Sequence, residues 1–255
     1  MSPRSVAQIR YSFCSADSVV GTDFYAALKY PERAKGNVPY HLDAAHQLVL
    51  ESITGRVLEI GCGGGQMRRW IKSRGMEYIG TDISKSRVPE KLREGGPDYL
   101  ADAHFLPFED RSFDAVYSAA VTEHIADPQL MMSEVLRVLK PGGVYMGNGS
   151  FLEPWHDDSY FHMSPLGAYR SLRRSGFEVR NVWPGMGYSG YTAMLEMGNK
   201  LCNGIRPLGR VFARLHSFGL TMRRALGRED PPGGTIAWEG RMAGAVDWIA
   251  RRPLH

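Results

Sequence analysis

Short apolar runs alternate along this chain with stretches whose apolar residues recur every three or four positions. Runs near 56–60, 77–81, 98–101, 113–118, 143–149 and 177–183 predict strands. Between them lie helical patterns. From Val38 to Ile53, residues Leu42, Ala45, His46, Val49 and Ile53 share one face. Gln66 to Arg74 and a weaker segment near 85–94 follow. Pro128 to Leu139 has proline in its first turn, apolar Leu130, Met131, Val135, Val138 and Leu139, and a Lys-Pro-Gly-Gly stop. Ser164-Pro165 opens another helix that runs to Arg174 and ends at Gly176. Strands alternating with helices predict an α/β fold with a mostly parallel sheet.

The first strand runs into VLEIGCGGG, and Asp82 closes the second, EYIGTD. A glycine turn against a helix start, with a carboxylate on the neighbouring strand tip, is the geometry that holds a nucleoside-bearing cofactor. The nicotinamide fingerprint needs a third glycine where this chain has Gln66. Instead Glu59, Gly61, Gly63 and Gly65, spaced E-x-G-x-G-x-G around Cys62, resemble motif I of class I S-adenosylmethionine-dependent methyltransferases. LPFEDRSFDAVYS and EHIADPQLMMSEVLRVLKPGG resemble the ubiquinone/menaquinone-biosynthesis type, the methyltransferase domain 11-like group. The likeness runs over roughly residues 40–183 and returns in AVDWIARRP, which resembles the last, antiparallel strand.

The resemblance implies a Rossmann-like, seven-stranded, mostly parallel sheet with helices on both faces, an antiparallel last strand, and S-adenosylmethionine as cofactor. It implies that Asp82 accepts from both ribose hydroxyls and that Ile83 packs on the adenine. Asp102 would accept from the adenine amino group beside Ala103. Glu59 would organise the cationic end, and Cys62, Ser118 and Ala119 would complete the cofactor wall. The resulting division is an N-terminal helical cap (1–54), a cofactor-binding core (55–183), a helical insert (184–234) and a C-terminal strand (235–255). About fifty residues before the last strand are too many for a plain loop. Within them Ile205, Leu208, Phe212 and Leu215 recur at helical spacing from Ile205 to Leu226, beside Arg206, Arg210 and Arg214. The plain reading is an amphipathic helix covering the core. A substrate cap, a dimer surface or contact with an anionic membrane are the alternatives.

Composition narrows the class. The chain has 255 residues, 43% of them hydrophobic, and a net charge of +4. That is room for one enzyme domain with insertions, and only mildly basic. No apolar stretch reaches the roughly 18 residues of a transmembrane helix, and MSPRSVAQIRYSF has no secretory core. Cys14, Cys62 and Cys202 suggest neither a disulfide framework nor a zinc site, and the expected compartment is the cytoplasm.

Methyl transfer to a protonated nucleophile calls on a base, most often histidine. His124 follows the fourth strand; the alternative is that it closes the pocket floor. His156 sits beside Asp157 and Asp158, which can orient its ring, or the segment is an ordinary polar loop. His162 precedes a helix and suits capping or packing better. The loop setting of these histidines and acids argues against a metal. Tyr25, Trp155, His162 and Tyr188 are the candidate substrate contacts; the aromatic ones, with Tyr160, offer rings and hydroxyls to a substrate, or pack a cap. The expected function is methylation of an oxygen or nitrogen of a small molecule, a natural product or saccharide-like acceptor, with a homodimer possible. RNA or protein methylation and a non-catalytic cofactor-binding partner are the competing readings. Nucleic acid is not favoured, because SAAVTEH stands where base amino-methylating enzymes carry N-P-P-Y.

Overall fold

A computed structural model describes residues 22–35, 42–84, 95–185, 189–197, 205–230 and 232–255. The expected helix near 85–94 and Cys14, Cys202 and Tyr188 lie outside the described residues. Seven strands form one sheet: β1 (Arg56–Ile60), β2 (Glu77–Asp82), β3 (Tyr99–Leu100), β4 (Phe113–Ala119), β5 (Leu139–Ser150), β6 (Glu178–Pro184) and β7 (Ala245–Arg251). Their order is β3-β2-β1-β4-β5-β7-β6. β1 pairs in parallel with β2 and β4, β2 with β3, and β4 with β5, while β7 runs antiparallel to β5 and β6. The chain winds outward from β1 to β3 and then crosses back to β4. The sheet therefore has its topological switch point between β1 and β4, where open α/β sheets bind ligands.

The strands read as apolar runs because both faces are covered. Leu58, Val116, Tyr145 and Trp248 face one layer with Met131 and Val135 of α4 (Pro128–Val138) and Ala168 and Leu172 of α5 (Pro165–Arg174). One residue earlier or later, Val57, Ala115, Tyr117, Met146 and Ile249 face the other layer. There they meet Ala45 and Leu50 of α2 (Ala44–Glu51) and Ile71 of α3 (Arg68–Lys72). Two-residue alternation thus sends successive buried side chains of the central strands to opposite cores. Local chemistry starts the helices: Asp127 accepts from the Leu130 amide at 3.0 Å, and Ser164 from the Gly167 amide at 3.1 Å.

Three elements differ from the sequence pattern. α3 is shorter than 66–74, because hydrogen-bonded turns, with Gly63 and Gly65 at positive φ, carry the chain as far as Arg68. β5 begins at Leu139 rather than 143. Leu139 pairs with Phe113 and Val144 with Ala115, so the Lys-Pro-Gly-Gly segment bulges within the strand, Gly142 at φ +77°. The helix in the insert is α7 (Arg206–Ala225), packed on α6 (Gly190–Met197), and its apolar row does not cover the core: Leu208, Phe212 and Leu215 are exposed. Gly209 meets the backbone of Thr192 instead, since only a residue without Cβ fits that approach. α8 (Gly234–Gly240) precedes β7, and α1 (Thr22–Ala27) leads to Leu28, which bridges to Val182 at the sheet's outer edge.

Candidate active site

β1 ends at Ile60, and Gly61 turns the chain at φ +67°. A Cβ on Gly61 would stand 2.3 Å from Val121, so the turn can approach the loop after β4 this closely only with glycine here. Asp82 ties the turn to the tip of β2. Its Oδ2 accepts from the Gly63 amide at 2.8 Å and its Oδ1 from the Ser84 amide at 3.2 Å. Above the turn lies a cavity of about 590 Å³, a size suited to a cofactor with part of a substrate.

Gly61, Asp82, Ile83, Asp102, Ala103 and His124 all line this cavity. Ile83 is 69% exposed, an apolar side chain held open on the wall. Asp82, Asp102, Asp157 and Asp158 give the wall an acidic character that favours a cationic ligand. Asp102 accepts through Oδ1 from both the backbone amide and the ring Nδ1 of His104, at 2.9 and 2.6 Å. Those bonds, the backbone one first, hold its carboxyl below the usual range. The Nε2 of His104 accepts from the Asp127 amide at 3.0 Å, which places the ring proton on Nδ1. His104 lines the cavity and was not anticipated from the sequence. The signal was present in D-A-H, where an aspartate caps the amide two residues on.

Other expected residues lie behind the wall. Ser118 is fully buried and shares a 2.9 Å hydrogen bond with the Tyr145 hydroxyl. Past Ala119, Ala120 reaches the cavity at φ +52°, its amide donating to Asn148 Oδ1 at 2.8 Å. Gly63 and Gly65 shape the turn, and Cys62 is buried beneath it, burial raising its thiol to about 12, so it is no nucleophile at neutral pH. Glu59 is also buried. It accepts from the Tyr78 hydroxyl at 2.5 Å, and burial raises its carboxyl to about 8. Between the ordinary 4.5 and about 8, the native protein holds a proton that the unfolded chain has released, so this group lowers stability as pH rises across that window. Glu59→Gln is therefore expected to remove that slope: its melting temperature should gain on the wild type from pH 5 to pH 9, with little difference at the acid end. Parallel profiles in thermal unfolding would show that Glu59 is ionised in the folded protein.

Behind the cavity, histidines and acids converge. The ring of His124, in a 3-10 turn at Thr122–His124, stands 5.5 Å edge-on from that of His156, which lies 5.7 Å from that of His162. Nδ1 of His124 is buried without a partner. The neighbour of His156 is not Asp157 or Asp158, which turn at positive φ toward the cavity. It is Glu153, 3.8 Å from Nε2, while Nδ1 lies 2.9 Å from the Pro154 carbonyl. Ser150 Oγ is 2.8 Å from Glu123 and 2.6 Å from Glu153. One hydroxyl hydrogen serves only one of these two carboxyls at a time. Burial raises the Glu153 carboxyl above its usual range. Donor atoms of Glu123, His124 and His156 lie within 4.8 Å of one another, and among the described residues these could gather around a cation. The loop setting of His156, Asp157, Asp158 and His162 argues against a metal there, and this different grouping, with Glu123 and His124, depends on the fold. His162 bonds the Ser159 hydroxyl at 3.2 Å, and Trp155, 75% exposed, donates to the Ser159 carbonyl at 3.0 Å. Tyr25 packs on Phe24 and lines a different cavity.

A family profile described as methyltransferase domain matches residues 58–147, from β1 through β4 into β5. An uncharacterised methyltransferase of Mycobacterium marinum is 30% identical over 176 residues, 65% of this chain and 68% of that protein. A sterol 24-C-methyltransferase of Gibberella zeae is 38% identical over 99 residues, 35% of this chain and 26% of that enzyme. The chain spans between a quarter and a third of the first curated relatives it matches. The solved structure of the [4+2]-cyclase SpnF shares the fold over 98% of this chain and 96% of that one, at 18% identity and a TM-score of 0.51. A fold so shared does not specify a reaction. The motif region, the relative matched over most of its length and the acid-lined cavity at the switch point agree, and the chain belongs to the class I S-adenosylmethionine-dependent methyltransferases, with S-adenosylmethionine as its cofactor.

Proposed function

We propose that this protein methylates an oxygen or nitrogen of a small molecule, a natural product or saccharide-like acceptor, with His124 as the base. The observation that carries the reading is the position of His124, on the wall of the cofactor cavity with the His156 ring directly behind it. When bound, the cofactor supplies an electrophilic methyl group. Asp82 would hold its ribose, Ile83 would pack on its adenine and Asp102 would offer its remaining oxygen to the adenine amino group. Gly61 and the backbone beside it would let the methionine part lie close. The acceptor enters opposite, past Asp157, Asp158 and Tyr160, with the exposed rings of Trp155 and Phe161 nearby. Aromatic faces beside carboxylates suit a polyhydroxylated or ring-bearing molecule. His124 takes the proton of the acceptor, while alignment supplies the larger part of the rate.

The test is transfer from methyl-labelled cofactor to a panel of glycosides, phenols and amines, beside bulk RNA and protein, with and without a chelator. Label in a small molecule irrespective of chelator supports the reading. Label confined to RNA or protein overturns the acceptor class, and loss on chelation overturns His124 as the base.

A further inference from the structure

α7 turns its apolar side away from the protein. Leu208, Val211, Phe212, Leu215, Phe218 and Met222 share one side of the helix, each between 44% and 62% exposed, and Leu226 extends the row at 71%. The side toward the protein sets Gly209 on Thr192 and Arg223 over Trp238; Phe212, at the border of the row, lies 6.0 Å from the Tyr191 ring, and Arg210 and Arg214 line a cavity that Glu239 shares. The helix carries five arginines and no acid. Arg210 and Arg214 lie one turn apart on its flank. No described helix is long and apolar enough to cross a membrane.

Charge selects the occupant. A second copy packed through this row would set the arginines of two acid-free helices side by side, with nothing in either helix to offset them. Nucleic acid would neutralise the arginines but leave large apolar side chains against its backbone. An anionic lipid surface satisfies both, taking the apolar row into the acyl boundary and the guanidinium groups at its phosphates. We infer that α7 is an interfacial helix that seats this protein on an anionic membrane surface. The placement suits an enzyme working there. β6 runs parallel to β5, and α6 and α7 follow its carboxyl end, on the sheet edge that carries the cofactor cavity. The inference is independent of which acceptor is methylated.

Flotation of the full chain with vesicles of phosphatidylcholine alone, or mixed with phosphatidylglycerol, tests it. Binding to the mixed vesicles should be about tenfold stronger or more, from roughly 1 kcal/mol per arginine at the surface, and should weaken with added salt. The double variants Leu215→Ser with Phe218→Ser, and Arg210→Glu with Arg214→Glu, should each lose it while melting temperature and cofactor affinity hold, because all four side chains are exposed. Equal binding to both vesicles, binding that survives both variants, or no binding would overturn the inference. So would a wild-type dimer that the serine pair converts to a monomer, because the row would then be a contact between copies.

Discussion

Asp82→Ala is expected to weaken S-adenosylmethionine binding about a hundredfold or more. A carboxylate has about four acceptor positions. Two are occupied, by the Gly63 and Ser84 amides, and the residue stands on the cavity wall with the others available. Neighbouring ribose hydroxyls fill such a pair. Hydrogen bonds to a charged group contribute about 1.5–3 kcal/mol each, so losing two weakens binding by about 3 kcal/mol at the least, a factor of roughly a hundred. The variant also releases the amide of Gly63, whose positive φ shapes the turn, and both effects act in the same direction. Asp82→Asn keeps one oxygen but puts an amide group where the other accepted, so its loss should be intermediate. Calorimetric titration measures both affinities and thermal unfolding monitors the fold. An unchanged Kd in the alanine variant would remove Asp82 from the cofactor site.

The features that were legible in the sequence are those written within a few residues. The glycine turn, Asp82 at a strand end, the Asp127 and Ser164 caps and the alternation of Val57 with Leu58 each follow from neighbours in the chain. What stayed hidden depends on contacts between distant segments. Ser118 reads as a cavity residue until Tyr145 is seen to claim its hydroxyl across two strands. Asp157 reads as the partner of His156 until left-handed backbone carries it to the cavity and leaves Glu153 beside the ring. His104 joins the wall through Asp127, twenty-three residues away. α7 is the clearest case. Its period announces a helix, but period alone does not say which side meets the protein, and Gly209 against Thr192 decides it.

His124→Gln is expected to lower kcat about 10²–10⁴-fold, the range for losing a general base, with cofactor affinity nearly unchanged. His124 is on the wall and Gln is similar in length, so the cavity keeps its shape while the titrating nitrogen is lost. His156→Gln should cost less. His156 is not on the wall; its Nδ1 lies 2.9 Å from the Pro154 carbonyl, its Nε2 3.8 Å from Glu153 and its ring 5.5 Å from that of His124, which makes it a support for the His124 ring rather than a group that meets the acceptor. The two variants therefore separate by degree. Turnover of an identified acceptor, read with cofactor Kd and acceptor KM, should place the large loss in kcat at His124 and a smaller one at His156. Full turnover in His124→Gln with loss in His156→Gln would move the base one ring back from the cavity. Full turnover in both would leave alignment alone to carry the reaction, as an acceptor already deprotonated at neutral pH would allow.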